Sequence, residues 1–256
     1  MIDIQNLSFS YNGKPFIENL NFSLADGTLT ALIGENGSGK STLLKLLTGN
    51  EKLSNGIIWT DGKNTKKLSR RDRAKHISYF PQSRPIPDMQ ALDVVLMGRY
   101  PYMHGKFLIP EQERLFCLKM MQKMEIAHFA ERNMQTLSFG ERQKVYLVMQ
   151  MVQNTPNLLL DEPTNFLDIS AKFAMLAALT EMKMQGKCIL CVLHDISLAM
   201  QYADRIIVMK NGNVFADGTP ETLYQNGSIA KAFGVTIRRS EQDGKNIYVI
   251  LANNSK

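Results

Sequence analysis

The sequence has few cysteines, no long apolar run and no excess of one charge, and each shortage excludes a class of protein. Its three cysteines, Cys117, Cys188 and Cys191, are too few and too unevenly placed for a disulfide framework. No charged-then-apolar leader opens the chain, so a reducing, cytosolic setting is expected. Cys188 and Cys191 form a C-x-x-C, but inside the apolar run 188–193, where a buried strand is a better explanation than redox or metal chemistry. No stretch approaches the roughly 18 apolar residues that a membrane-crossing helix needs, so any membrane role must come through a partner. The net charge of +6 is modest for 256 residues, and the basic clusters Lys66-Lys67, Arg70-Arg71-Asp72-Arg73 and Arg238-Arg239 are short. No aromatic-interleaved basic stripe accompanies them, which argues for solvated surface and against a nucleic-acid partner. Internal repeats, coiled coils and disordered tracts are also missing.

What is present begins with residues 34 to 41, Gly34-Glu35-Asn36-Gly37-Ser38-Gly39-Lys40-Ser41, a G-x-x-x-x-G-K-[ST] loop followed by Thr42. Glycines let the backbone bend around a phosphate chain and aim N–H groups at its oxygens. Lys40 is expected to reach the β- and γ-phosphates and the Ser41 hydroxyl to ligate Mg²⁺. The apolar strand 29–33 precedes the loop and a helix from Ser41 to Thr48 follows it, with its positive end toward the phosphates. Asn36, Gly37, Ser38, Gly39, Lys40, Ser41 and Thr42 are therefore the residues expected to bind a nucleoside triphosphate.

Along the rest of the chain, at 44% hydrophobic, there is ample material for a core. Apolar runs 2–7 and 16–24, separated by Asn12-Gly13 and followed by Asp26-Gly27, predict antiparallel strands. After the Pro-rich link 81–87 the pattern turns helical, with Leu115, Leu118, Met121 and then Val145, Val148, Met149, Val152 at helical spacing. The expected division is a nucleotide-binding core of residues 1–83 and 156–256 with a helical subdomain at about 84–155, all in one domain. Nine methionines fall in that insertion and suit either an adaptable contact surface or an irregular core. A strand at 158–160, a helix from about Ser170 to Gln185, a strand at 188–193 and a hairpin about Asn211-Gly212 follow. A helix started by Thr219-Pro220 and two strands around Asp243-Gly244 close the chain.

Four chemically special segments each follow an apolar strand: the phosphate loop, Gln82, Asp161-Glu162 and His194. Ligands of open parallel sheets bind at the carboxyl ends of strands, so these groups can meet around one triphosphate. Asp161 has the position of a carboxylate that holds Mg²⁺ and Glu162 that of a base orienting the attacking water. Taken singly, Asp161-Glu162-Pro163 also reads as a turn and His194 as a packed histidine; their joint placement favours the site. Ser138 and Glu141 form an S-x-x-E capping box at the start of a helix from Glu141 to Gln153.

These segments, in this order, resemble the ABC-type ATPase family over nearly the whole chain. They are the loop, Gln82, Leu137-Ser138-Phe139-Gly140-Glu141, 158–162, Asn165-Phe166-Leu167-Asp168 and His194. The resemblance implies a P-loop NTPase fold of α/β class, with a mostly parallel core sheet, an N-terminal antiparallel β subdomain and an inserted helical subdomain. It implies that Tyr11 stacks on adenine, that Gln82 senses Mg²⁺ and the water, that Glu162 is the catalytic base and that His194 contacts the γ-phosphate. It further implies a head-to-tail homodimer sandwiching two ATP molecules, with Ser138, Gly140 and Glu141 of one copy facing the nucleotide of the other and Asp168 coupling the sites. Gly98-Arg99-Tyr100-Pro101-Tyr102 is similar to the segment found in ATPases of iron-siderophore, haem and cobalamin importers. A peripheral ATPase on the cytoplasmic membrane face is then expected, docked through its helical subdomain on a membrane permease that a periplasmic or surface binding protein serves. A soluble ABC ATPase acting in Fe–S cluster assembly is the alternative. Phe139, Glu141 and Lys144-Val145-Tyr146 depart from the usual family residues, which leaves open how the signature packs.

Overall fold

The computed structural model describes residues 1–103, 109–242 and 244–253. Strands β1 (Ile2–Tyr11) and β2 (Lys14–Leu24) pair antiparallel across Asn12-Gly13, whose φ angles of 48° and 78° are those of the mirror-image turn that matches strand twist. Next come β3 (Leu29–Gly34), α1 (Lys40–Thr48), β4 (Asn55–Thr60), β5 (Lys63–Asn64), α2 (Arg70–His76) and β6 (Ile77–Phe80). Helices α3 (Ala91–Met97), α4 (Glu111–Lys123) and α5 (Phe139–Gln153) lie between β6 and β7 (Asn157–Asp161). The chain continues through α6 (Ile169–Met184), β8 (Cys188–Val192), α7 (Ile196–Tyr202), β9 (Arg205–Lys210) and β10 (Asn213–Gly218). Helices α8 (Pro220–Gln225) and α9 (Ser228–Phe233) and the hairpin β11 (Val235–Gln242) and β12 (Lys245–Ala252) end it. Of the turn expected at Asp243-Gly244, Asp243 lies outside the described residues.

The central sheet has the order β10-β9-β3-β8-β7-β6, with β9, β3, β8, β7 and β6 parallel and β10 antiparallel at one edge. A separate antiparallel sheet, β2-β1-β4-β5, is the N-terminal layer. Because side chains alternate along a strand, each central strand feeds two cores at once. Ala31, Leu160, Cys191 and Val208 join the core shared with α3, α5 and α7, while Leu32, Leu159, Leu190 and Ile207 join the one shared with α1 and the N-terminal sheet. That is why these strands read as continuous apolar runs. Cys188 and Cys191, three apart, point to opposite faces and cannot meet; burial pushes the Cys188 thiol up to about 12 and that of Cys191 higher still. The C-x-x-C is strand core.

In α4 the buried residues are Cys117 and Met121, with Leu118 packed against them, while Leu115 is 49% exposed, so the inward stripe is rotated from the expected one. Seven of the methionines in this region face the core: Met121 and Met134 are buried, and Met89, Met120, Met124, Met149 and Met151 pack against it. Gly98-Arg99-Tyr100-Pro101-Tyr102 fastens the helices together. A Cβ on Gly98 would overlap the carbonyl oxygen of Met149, so glycine sets the approach of α3 to α5. Arg99 donates to Val152 O at 2.7 Å and to Glu113 at 2.6 Å, and the Tyr102 hydroxyl donates to Gln153 O at 2.9 Å.

At the other end of the sheet Asn157 ties the layers together. Its Nδ2 donates to His76 O at 2.9 Å, Thr60 Oγ1 at 3.2 Å and the Asp61 carboxylate at 3.3 Å, and His76 Nδ1 lies 2.8 Å from Asp61 Oδ2.

Candidate functional site

Parallel register puts four strand ends level: Phe80 pairs with Leu160, Asp161 with Val192, and Val192 with Leu32. The segments that follow therefore open onto one edge of the sheet. A cavity of 510 Å³ lies there, lined by Phe16, Asn36, Gly37, Gly39, Lys40, Ser41, Thr42, Gln82, Glu162, Asn165 and His194.

The loop bends because glycines stand where a side chain would not fit. A Cβ on Gly34 would overlap Met209 O, and Gly39 caps α1 with φ 106°. No side chain caps this helix and no acidic residue stands in its first turn, so its N–H groups and dipole are left for an anion. Lys40 is 6% exposed, its Nζ donating to Gly34 O at 2.8 Å and Glu35 O at 2.9 Å. Burial lowers its pKa, while the carboxylates of Glu162 and Asp161 pull it upward. Ser38 is buried and does not line the cavity; its carbonyl accepts from Gly212 N at 3.0 Å.

Asp161 ends β7 at 2% exposure, accepting from Ser41 Oγ at 3.2 Å and from the Tyr79 hydroxyl at 3.4 Å. Burial first, then the neighbouring Glu162, raise its pKa against the opposing effects of Ser41, Tyr79 and Lys40. The Ser41 hydroxyl stands beside the Asp161 carboxylate, a pair of hard oxygen donors of the kind that suits Mg²⁺. No cluster of three metal-ligating His, Cys, Asp or Glu residues exists among the described residues.

Glu162 follows in left-handed backbone, φ 55°, which turns its side chain out of the sheet toward the cavity. Gln82 Nε2 and Asn165 Nδ2 both donate to its Oε2, at 2.5 and 2.6 Å, and His194 Nε2 contacts Oε1. The carboxylate is 7% exposed and fixed from three elements. Gln82, Glu162 and His194 are thus brought into one constellation with Lys40 and Ser41.

Other expected residues stand elsewhere. Ser138 caps α5, accepting from Glu141 N at 3.3 Å while Glu141 Oε2 accepts from Ser138 N at 2.7 Å; the capping box is complete and holds the Glu141 carboxyl below its ordinary range. Asp168 caps α6, its Oδ1 accepting from Ala171 N at 2.7 Å. Neither these residues nor Gly140 line the cavity that holds Lys40. Phe139 meets Phe166 edge to face at 5.7 Å, which is how the departure at Phe139 packs. Tyr11 does not line the cavity; its hydroxyl bonds Thr42 Oγ1 at 2.9 Å and its ring leans on Phe16 at 5.4 Å, and Phe16 is the aromatic that faces the cavity. Sequence reasoning missed Phe16, Tyr79 and Asn165. For Asn165 a signal existed: an amide three residues after a carboxylate, across a turn, can return to it.

Comparison with known proteins gives a family and several relatives. The family described as ABC transporter matches residues 17–165. The chain is 34% identical over 220 residues to the Iron(3+)-hydroxamate import ATP-binding protein FhuC of Bacillus subtilis, covering 85% of this chain and 82% of that one. It is 33% identical over 233 residues to the ferric enterobactin transport ATP-binding protein FepC of Escherichia coli, covering 90% and 86%. Among solved structures, an inward-facing transporter described as of metal-chelate type superimposes with a TM-score of 0.84 at 24% identity, covering 98% of both chains. The dimeric bacterial ABC transporter cassette MJ0796 gives 0.77 at 27% identity, covering 86% of this chain and 99% of that one.

Proposed function

Because the chain belongs to the ABC transporter family, as an ATP-binding cassette whose hydrolysis is coupled to transport, we propose that it powers an importer of iron-siderophore-type chelates. In this reading it works as a peripheral pair on the cytoplasmic face of a membrane permease. The observation that carries the proposal is the identity of 34% over 220 residues with an iron-hydroxamate import ATP-binding protein. The Gly98 to Tyr102 segment and the absence of any helix long and apolar enough to cross a membrane among the described residues support it.

At the site, the loop amides and the N-terminus of α1 bind the phosphate chain and Lys40 balances its charge. Ser41 and Asp161, with Gln82 beside them, would hold Mg²⁺, which when bound offsets charge on the β- and γ-phosphate oxygens. Glu162 takes the proton of the attacking water. With Oε2 occupied by Gln82 and Asn165, Oε1 and its partner His194 are the side of the carboxylate that meets the reacting group. Phe16, with Tyr11 packed on it, is the aromatic that would stack on the adenine.

Ser138, Gly140 and Asp168 lie off the cavity of their own chain, which suits a site completed by a second copy. A nucleotide between Lys40 of one copy and Ser138 of the other would hold two subunits together, and loss of the γ-phosphate would release them. The helical segment at about 84–155 is the proposed permease-facing subdomain. Reconstituting the chain with the membrane protein that co-purifies with it and measuring ATP-driven uptake of ferric chelates tests the proposal. An active ATPase that associates with no membrane protein overturns it.

A further inference from the structure

Two residues beyond Gln82, the link from β6 to α3 carries an arginine in unusual surroundings. The guanidinium carbon of Arg84 lies 3.9 Å from the centre of the Phe80 ring and 4.4 Å from that of the Tyr146 ring. Its Nε and both Nη atoms are buried, and none has a hydrogen-bond partner among the described residues. Burial pushes its pKa down to about 10, the Tyr146 and Tyr79 phenols opposing the fall, so the group is still charged at neutral pH.

The second ring belongs to a residue that grips the link twice. Tyr146 is buried on α5, the helix that Ser138 caps, and its hydroxyl donates to Pro85 O at 3.2 Å. Arg84 and Pro85 are thus both fastened to one α5 side chain. Gln82, at the start of the same link, donates to Glu162. α5 is thus joined to the Glu162 carboxylate by Tyr146 on Arg84, by the backbone of residues 84 to 82, and by the Gln82 amide.

Stability does not explain the arginine. Its donors forfeit water without gaining partners, and an apolar side chain of similar length would fill the space between the rings at no such cost. What a cation offers there is an attraction spread over each ring face, without one fixed hydrogen-bond direction. Such a contact persists while its two sides slide past each other. Breaches of local consistency of this kind are expected at functional positions.

We propose that Arg84 is a positioning residue for Gln82: gripped between Phe80 of the central sheet and Tyr146 of α5, it carries displacements of α5 to the contact between Gln82 and Glu162. The inference rests on the reading of Glu162 as the base.

The test is a mutant cycle in the full-length chain, reading Tm, nucleotide Kd, kcat and KM. For Arg84→Met, Tm is expected to hold or rise, Kd to hold, and kcat to fall about tenfold. Arg84→Lys, which keeps a cation between the rings, is expected to recover most of kcat. In a Gln82→Ala background, Arg84→Met is expected to cause no further loss. Unchanged kcat in Arg84→Met, an equal loss with and without Gln82, or a fall in Tm and affinity that Arg84→Lys shares would each overturn the proposal. Glu162→Gln is run alongside: wild-type turnover there removes the base assignment, while the Arg84–Gln82 cycle still reports whether the two residues act as one.

Discussion

Asn165 Nδ2 donates at 2.6 Å to Oε2 of Glu162, the oxygen that Gln82 also engages, so a side chain from the turn after β7 helps fix the carboxylate proposed as the base. Asn165→Ala frees one restraint and leaves the phosphate loop untouched. Turnover is expected to fall about tenfold with little change in KM, since orientation of the base matters in the transition state more than in binding. Steady-state kinetics check this, and a rise in KM alone would place Asn165 in nucleotide binding instead.

Glu162→Gln keeps the size of the side chain and removes its basicity. Hydrolysis is expected to drop by about a hundredfold or more while ATP still binds, and closed pairs accumulate. Single-turnover hydrolysis with gel filtration in ATP measures both.

Ser138→Ala removes the Oγ that accepts from Glu141 N, one of the two hydrogen bonds of the capping box that opens α5, and keeps the backbone N–H that donates to Glu141. The helix loses about 1 kcal/mol of stability, readable as a shift in urea midpoint. Because Ser138 does not line its own chain's cavity, nucleotide affinity of dilute protein is expected to stay unchanged while turnover falls. Mixing Ser138→Ala with Lys40→Ala should restore part of the activity, since one shared site then has both groups intact.

Asp61 supplies a pH dependence away from the site. Burial alone would raise its pKa, but hydrogen bonds from His76, the Met1 amino group and Asn157 outweigh that and hold it below the ordinary value. A lowered carboxylate stabilises the fold above its unfolded pKa, and the contribution disappears as pH falls through the folded one. Asp61→Asn is therefore expected to cost about 1 kcal/mol near pH 7, in a partly exposed and screened setting, and less near pH 3, below the unfolded pKa. Urea unfolding at the two pH values gives the comparison.

Gly98→Ala puts a methyl group against the Met149 carbonyl and the side chain of Val152, where α3 meets α5. Overpacking against backbone is expected to cost about 1–3 kcal/mol or more, seen as a lower Tm. Gly37→Ala, where nothing lies within 4 Å of the new Cβ, is strained only by its φ of 79° and serves as a milder control for stability.

Much of this was legible from spacing. Period-two alternation with Asn-Gly at 12–13 and 211–212 announced hairpins, while the mostly parallel core came from the family resemblance, and the structure explains the continuous apolar runs by their burial on both faces. The site residues after β3, β6, β7 and β8 followed from the rule that parallel strands present their carboxyl ends together. Leu115 was misplaced on its helix because one apolar residue too many sat at helical spacing, and only packing against α3 and α5 selected Cys117 and Met121. Phe16 carried no motif at all, since an aromatic in an N-terminal strand looks like any core residue until the sheet is folded over the loop.

What the sequence determined alone is chemical: glycines where the backbone must bend, a lysine and a serine beside them, carboxylates at a strand end and a serine capping a helix. Those identities depend on covalent structure and on neighbours a few residues apart. Tertiary structure alone decided which of these groups share a cavity, that Asn165 and Gln82 converge on one oxygen of Glu162, and that Arg84 is gripped between two rings with no hydrogen-bond partner among the described residues. Such contacts join residues that lie up to 120 positions apart, as Ser41 and Asp161 do, and local pattern holds no record of distances that only the packed sheet and helices create.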